Sequence, residues 1–252
     1  VCNIAIKIEE CKFCTFLHFF ENCVPDGEFA VFISNFAKNI HEKYMPALKE
    51  KTSIVLYNVS DHIFDTKEVN GNDKYFLFFG RLSKEKGITS LIETFKDLPD
   101  IKLKIVGTGS EESALKKLVA SYGANNIEFL GYKTGKDLHK VIREAYFTLV
   151  PSEWYENNPL TIIESYSAWI PVIGSRIGGI PEIIEDGKTG YIFEARNVEQ
   201  LRNCIVKANN LSKEEYAQFC KNANDFALTY FNPEKYSASL VNLYKQILKK
   251  QF

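Results

Sequence analysis

Long apolar runs are missing from this chain. The longest stretch free of Asp, Glu, Lys and Arg is Ser165 to Ser175, eleven residues broken by Pro171, against the roughly 20 apolar residues that span a bilayer. No transmembrane helix is expected. An excess of charge is missing too, because 31 Lys and Arg stand against 32 Asp and Glu, a formal charge of -1. Without a basic field there is little to hold nucleic acid non-specifically, so the expected partners include no nucleic acid. The beginning, Val1-Cys2-Asn3, lacks a basic stretch followed by an apolar core and a small-residue cleavage site. The expected location is the cytoplasm, with at most peripheral contact at the inner membrane face. Internal repeats and low-complexity tracts are absent. What remains, 45% hydrophobic and 25% charged residues, is the balance of an ordinary globular protein.

The six cysteines do not form an evenly spread disulfide framework. Cys204 and Cys220 fall in helix-like segments as small core residues. Cys2, Cys11, Cys14 and Cys23 have the spacing C-x8-C-x2-C-x8-C. Two readings stay open for them: a tetrahedral zinc site, or thiols buried with Phe13, Phe16, Leu17, Phe19 and Phe20.

From Tyr75 onward, short apolar runs alternate with segments of helical period, the pattern of parallel strands joined by crossover helices. The predicted strands are Tyr75 to Phe79, Lys102 to Val106, Ile127 to Leu130, Phe147 to Val150, Val172 to Gly174 and Gly190 to Phe193. The predicted helices between them are Thr89 to Leu98, Glu111 to Ser121, Gly135 to Ala145 and Pro159 to Trp169. Helical patterns continue at Val198 to Ala208, Lys213 to Leu228 and Glu234 to Lys249. The expected fold class is α/β, a doubly wound, Rossmann-like parallel sheet. Upstream, Phe29 to Ser34 and Ser53 to Tyr57 read as strands and Asn35 to Tyr44 as a helix. That is too little to bury a core of its own. The expected division is residues 1–70 as a leaning segment with a linker, and 71–252 as the main domain.

In open parallel sheets, ligands bind beyond the carboxyl ends of strands, and four strand-end turns here are unusual. Gly80-Arg81-Leu82-Ser83-Lys84-Glu85-Lys86-Gly87 gathers cations and glycines in one turn. Gly107-Thr108-Gly109 permits close backbone approach. Pro151 to Pro159 leads into a helix containing Glu164, and Ser175 to Glu182 is again glycine-rich. With Asn158 as N-cap and Pro159 at the first helical position, the amides of Leu160 and Thr161 would offer partial positive charge suited to phosphate. Glu164 lies one turn on, on the face shared with Leu160. Glu156 lies in the preceding loop, so two carboxylates reach one bound molecule and can accept from sugar hydroxyls. Arg81 as a planar fork and Lys86 as a point charge would meet a diphosphate between them. The site implied is for a sugar nucleotide. The blander readings are a solvated turn for Arg81 and Lys86, a surface acid for Glu164, a plain loop acid for Glu156 and a simple turn for Gly178 and Gly179. Trp154 and Tyr155 fit equally as packing residues or as pocket lining.

Taken together, Phe78 to Gly87, the E-x7-E pair Glu156 and Glu164, Gly178-Gly179-Ile180-Pro181-Glu182 and Asp186-Gly187-Lys188-Thr189-Gly190 resemble the retaining glycosyltransferases of family four, which have the GT-B fold. The resemblance runs from about Phe32 to the C-terminal helix. It implies one GT-B half, the donor-binding domain, with a short remnant of the N-terminal acceptor domain in residues 1–70. It also implies that Arg81 and Lys86 hold the diphosphate, Glu164 the ribose hydroxyls and Glu156 the donor sugar. By the same resemblance the backbone near Tyr132 and Lys133 meets the base, while Gly80, Gly109, Asn158, Leu160 and Thr161 line the donor. The implied catalytic set is Arg81, Lys86 and Glu156.

Family members carry a fuller N-terminal domain that supplies a histidine near the reacting sugar. His18, His41, His62 and His139 match no such position. No Asp-x-Asp pair occurs anywhere in the chain, so no metal or other cofactor is expected and the cations and helix amides take the metal's role. The expected partners are a UDP- or GDP-linked sugar donor, a glycan or lipid-linked acceptor, and an acceptor-domain partner chain if the other half lies elsewhere. Polysaccharide biosynthesis is the implied setting. The alternatives are a non-catalytic sugar-nucleotide-binding module and, less favoured, an epimerase acting on UDP-N-acetylhexosamine.

Overall fold

The computed structural model describes residues 29–60, 63–66 and 74–250. The four early cysteines, and with them the zinc reading, lie outside the described residues. Strand β1 (Phe29–Phe32) pairs in parallel with β2 (Thr52–Val55), and helix α1 (Asn35–Tyr44) connects them, followed by a 3-10 turn at Pro46–Glu50. Ser34 caps α1 by accepting from Ala37 N at 3.0 Å, as short polar residues do at helix starts.

The main body is a six-stranded sheet in the order β5-β4-β3-β6-β7-β8, and every pairing in it is parallel. Its strands are β3 (Tyr75–Phe79), β4 (Lys102–Val106), β5 (Ile127–Gly131), β6 (Phe147–Val150), β7 (Val172–Ser175) and β8 (Gly190–Phe193). The crossovers are α2 (Ile88–Phe95), α3 (Glu112–Tyr122), α4 (Gly135–Glu144), α5 (Leu160–Ser167) and the short α6 (Ile180–Ile183). Helices α7 (Val198–Asn209), α8 (Lys213–Tyr230) and α9 (Pro233–Lys250) follow. This is the predicted doubly wound sheet, with every predicted strand present. No described helix is long and apolar enough to cross a membrane.

Continuous apolar runs become central strands because both faces of a parallel sheet are covered. All of Tyr-Phe-Leu-Phe-Phe in β3 is buried, and alternation sends its side chains to opposite sides. Phe76 and Phe78 join the cluster under α2 and α7, while Tyr75, Leu77 and Phe79 join Ile142, Ala168 and Ile170 on the other face. Each fully buried side chain of this size contributes about 1.5–3 kcal/mol. At α5, Ile162, Ile163 and Tyr166 pack against Ala223, Phe226 and Ala227 of α8. Ser212 and Glu215 close a capping box at the start of α8, satisfying free amides in both directions.

The linker is tied down at several points. Ser60 N donates to Phe231 O at 3.3 Å, Phe64 N to Ser167 O at 2.9 Å, and Trp169 Nε1 to Phe64 O at 2.7 Å.

The Asp186 to Gly190 motif finds a structural use. Tyr166 is fully buried and its hydroxyl donates to Thr189 Oγ1 at 2.7 Å, which also accepts from Glu185 N at 2.9 Å. Burial drives the Tyr166 phenol upward. Thr189→Val leaves that hydroxyl buried without an acceptor, which costs about 1–3 kcal/mol. Urea unfolding should therefore show a lower midpoint at unchanged slope.

Candidate functional site

The sheet order reverses between β3 and β6, because the chain steps outward from β3 to β5, returns to β6 and steps outward the other way. Ligands bind at such a switch point, beyond the carboxyl ends of the two strands. The two loops leaving it are Gly80 to Gly87 and Pro151 to Pro159, the cationic turn and the acidic loop.

These loops are fastened to each other. A Cβ on Gly87, whose φ is +69°, would lie 1.9 Å from Pro151 O, so only glycine allows this approach. Glu153 N donates to Glu85 O at 2.8 Å. The Glu153 carboxylate accepts from Ser90 Oγ at 2.6 Å and pairs with Arg196 Nε at 3.2 Å. Across the same gap, Lys86 Nζ meets Glu156 Oε1 at 2.5 Å, with side chains 27% and 18% exposed. Ser152 Oγ donates to the same carboxylate oxygen at 2.9 Å. Lys86 and Glu156, 70 residues apart, are thus brought together.

Arg81 stands differently. Its side chain is 67% exposed and Nη2 pairs with Glu85 Oε1 at 2.7 Å. The Ser83 hydroxyl first, then the residue's own backbone amide and Arg81, hold the Glu85 carboxyl below its ordinary value against the opposing effect of burial. Gly80 is exposed, with φ +151°.

Helix α5 opens beside this pair, but its cap differs from the sequence expectation. Pro159 is the N-cap and Leu160 the first helical residue, with no side-chain capping bond. Asn158 is engaged elsewhere: Oδ1 accepts from Asn58 N at 2.7 Å, and its carbonyl accepts from Asn58 Nδ2 at 3.2 Å. A linker residue 100 positions away outcompetes the local cap. The first amides of α5 still fall to Leu160 and Thr161, which have no intrahelical acceptor. Thr161 Oγ1 reaches Phe79 O at 3.4 Å. Leu160 is 53% exposed and Glu164 half-buried, so these two share the open face of the helix rather than the face of Ile162, Ile163 and Tyr166.

Gly109 is close-packed against protein. A Cβ there would lie 2.2 Å from Leu82 O, and Leu82 N donates to Thr108 O at 2.9 Å. Lys133 is half-buried beyond the end of β5, the edge strand, next to exposed Tyr132. His139 packs edge-on to Phe64, and His41 Nδ1 lies 2.6 Å from Ala37 O.

The glycine-rich turn after β7 braces the acidic loop. Gly179 N donates to Glu156 O at 2.6 Å. Tyr155 stacks on Phe36 at 5.3 Å between centroids, which gives it a packing role. Sequence reasoning missed Ser152 and Glu153 as supports of this site, and Asn58 as the partner of Asn158. The partners of Glu153 and Asn58 are remote in sequence, so no local spacing announces them, whereas Ser152 lies four residues before Glu156, a spacing that could have pointed to it.

Residues 59–226 match the family model described as Glycosyl transferases group 1. The chain belongs to this family. As a group 1 glycosyl transferase it is 26% identical to the uncharacterized glycosyltransferase MJ1178 of Methanocaldococcus jannaschii, over 91% of this chain and 63% of that protein. It is also 26% identical to the lipopolysaccharide 1,2-N-acetylglucosaminetransferase of Salmonella typhimurium, over 85% of this chain and 61% of that one. The chain thus spans less than two thirds of these relatives. Among solved structures, sucrose-phosphate synthase from Thermosynechococcus elongatus superimposes with a TM-score of 0.83 at 20% identity, covering 98% of this chain and 65% of that one. Anabaena Alr3699/HepE, solved in complex with UDP and glucose, gives 0.80 at 19% identity, covering 92% and 67%. Both share the fold of this group 1 glycosyl transferase.

Proposed function

We propose that this chain supplies the donor site of a retaining, metal-independent, family-four glycosyltransferase, which transfers a sugar from a UDP- or GDP-linked donor to a glycan or lipid-linked acceptor. The observation that carries the reading is the Lys86–Glu156 pair at the switch point, beside the open N-terminus of α5. A cation and a carboxylate in contact there match the two ends of a sugar diphosphate: Lys86 on the phosphates, Glu156 on the sugar.

In the transfer, the bond from the anomeric carbon to the diphosphate oxygen breaks and its electron pair stays on the diphosphate. The acceptor hydroxyl oxygen takes the anomeric carbon and gives up its proton to an oxygen of the departing diphosphate. Arg81, Lys86 and the amides of Leu160 and Thr161 stabilise the charge left on the diphosphate, as donors already aimed at developing charge do. Glu164, on the open face of α5, takes the ribose hydroxyls. The backbone at Lys133 meets the base, and Gly80 lets the first loop approach the donor. Residues 71–252 form the donor domain, and residues 1–70 belong to the acceptor side and its linker. An acceptor-binding domain faces the site across a cleft, within the same protein or as a partner chain.

Calorimetry with UDP and GDP, repeated with chelator, tests donor binding and its independence of metal. NMR of the product anomer tests retention, and consumption of donor without transfer product would sink the transferase reading. Arg81 is exposed and bound to Glu85, so it must turn to reach phosphate. Arg81→Ala is expected to lower turnover about a hundredfold, or roughly 3 kcal/mol, and an unchanged rate would remove Arg81 from the site.

A further inference from the structure

Helix α1 meets a carboxylate from the far end of the fold. Glu182 Oε2 accepts from Asn35 N at 2.8 Å and Asn35 Nδ2 at 3.3 Å, and Oε1 accepts from Phe36 N. Ser34 Oγ takes the next amide, Ala37, so the first three amides of α1 are satisfied. The first turn of α1 has no acid of its own, and Glu182 supplies the negative charge that a helix start favours. Tyr57 Oη donates to Oε2 at 3.4 Å.

Glu182 lies on α6, immediately beyond Gly178 and Gly179. A Cβ on Gly178 would lie 2.3 Å from Glu156 O, and one on Gly179 would lie 1.9 Å from Asn157 O. With the hydrogen bond from Gly179 N to Glu156 O, α6 cannot move without moving the Glu156–Asn157 peptide. The stacking of Phe36 on Tyr155 is a second contact from α1 to the same loop.

We propose that Glu182 is a positioning residue that couples the seating of α1 to the placement of Glu156 against the donor sugar. With α1 docked on the carboxylate, α6 holds the glycine turn under Glu156. With α1 released, that support is lost. The proposal rests on the donor-site reading above and deepens it: the acceptor side controls the sugar end of the donor, while the nucleotide end is gripped independently by Arg81 and Glu164.

The test compares the full chain with Glu182→Gln, which keeps the shape and loses the charge. Calorimetry gives the affinity for UDP, for GDP and for a panel of UDP- and GDP-linked hexoses and N-acetylhexosamines. Hydrogen exchange reads the amides of residues 35–37. In the variant these amides should exchange faster and nucleoside diphosphate affinity should stay within about threefold. The extra affinity conferred by the best-bound sugar should fall about tenfold. Tyr57→Phe, which removes one donor to the same carboxylate, should move both quantities the same way by a smaller factor, and it carries the test if Glu182→Gln does not fold.

Faster exchange with an unchanged sugar increment overturns the positioning role, because the contact is then only a brace. Equal losses for nucleotide and sugar nucleotide overturn it as well, and so does unchanged exchange. A wild-type chain that binds neither nucleoside diphosphate overturns the donor-site reading and this proposal with it.

Discussion

Lys86→Ala should reduce transfer about a thousandfold, the upper end of what removal of one preorganised donor costs. Two effects combine. The substitution removes a cation from the diphosphate, and it leaves the Glu156 carboxylate, 18% exposed and shared with Ser152 Oγ, without its positive partner. Breaking a largely enclosed ion pair from one side is costlier than losing an exposed one, because the remaining charge keeps its desolvation penalty. Lys86→Arg keeps the charge but offers a planar fork where a compact ammonium sits, so it should recover only part of the rate. Rates at saturating donor, with nucleotide affinity measured separately, distinguish the transition-state term from binding. A Lys86→Ala variant with normal turnover would show that the Lys86–Glu156 pair is scaffolding.

Glu156 carries the complementary expectation through Ser152. The Ser152 hydroxyl orients the same oxygen that Lys86 holds, so this carboxylate oxygen of Glu156 has one charged and one neutral contact. The loop therefore presents a carboxylate of defined direction, which the placement of a single sugar requires.

The central strands were legible because burial on both faces turns them into unbroken apolar runs: Tyr75 to Phe79 and Phe147 to Val150 have the predicted bounds. The helix at Asn35–Tyr44 has its predicted bounds, but Ser34, assigned from sequence to the preceding strand, is its N-cap, and that strand ends at Phe32. Short elements were not legible. The 3-10 turns at Pro46–Glu50 and Lys84–Lys86, and the helix Ile180–Ile183, are too brief to show a period. The last of these carries Glu182, whose two backbone partners lie 147 and 146 residues away. The candidate site divides in the same way. Glu156 and Glu164 were visible as a spaced pair, whereas Asn158 was misread as a cap because its partner Asn58 sits in the linker. Gly109 permits the close backbone approach read from its turn, and the backbone that approaches its missing side chain is that of Leu82. Spacing shows which residues share a helix face; it does not show which distant loop folds back on them.

That same close approach between loops makes Gly107→Ala a severely damaging small substitution. Gly107 has φ +136°, and a Cβ on it would lie 1.8 Å from Gly80 O and 3.0 Å from Gly80 C. The obstructing atoms are backbone, so no rotamer change relieves the overlap. The first loop must move, although Gly80 N donates to Val106 O at 3.0 Å and Leu82 N to Thr108 O at 2.9 Å. The backbone strain costs about 1–3 kcal/mol and the overpacking about 1–3 kcal/mol more. Stability should fall by roughly 2–6 kcal/mol from these two causes together. Because Gly80 and Arg81 are displaced with the loop, nucleotide affinity should fall at least tenfold in whatever fraction folds. Gly123→Ala is the control: φ is +59°, yet nothing lies within 4 Å of the added carbon, so only the conformational cost of about 1–2 kcal/mol applies and affinity should hold. If the two variants lose equal stability and both bind nucleotide normally, the close approach of the strand-end loops does not shape the site. If Gly107→Ala alone loses binding, the turn after β4 builds the donor site by holding the turn after β3.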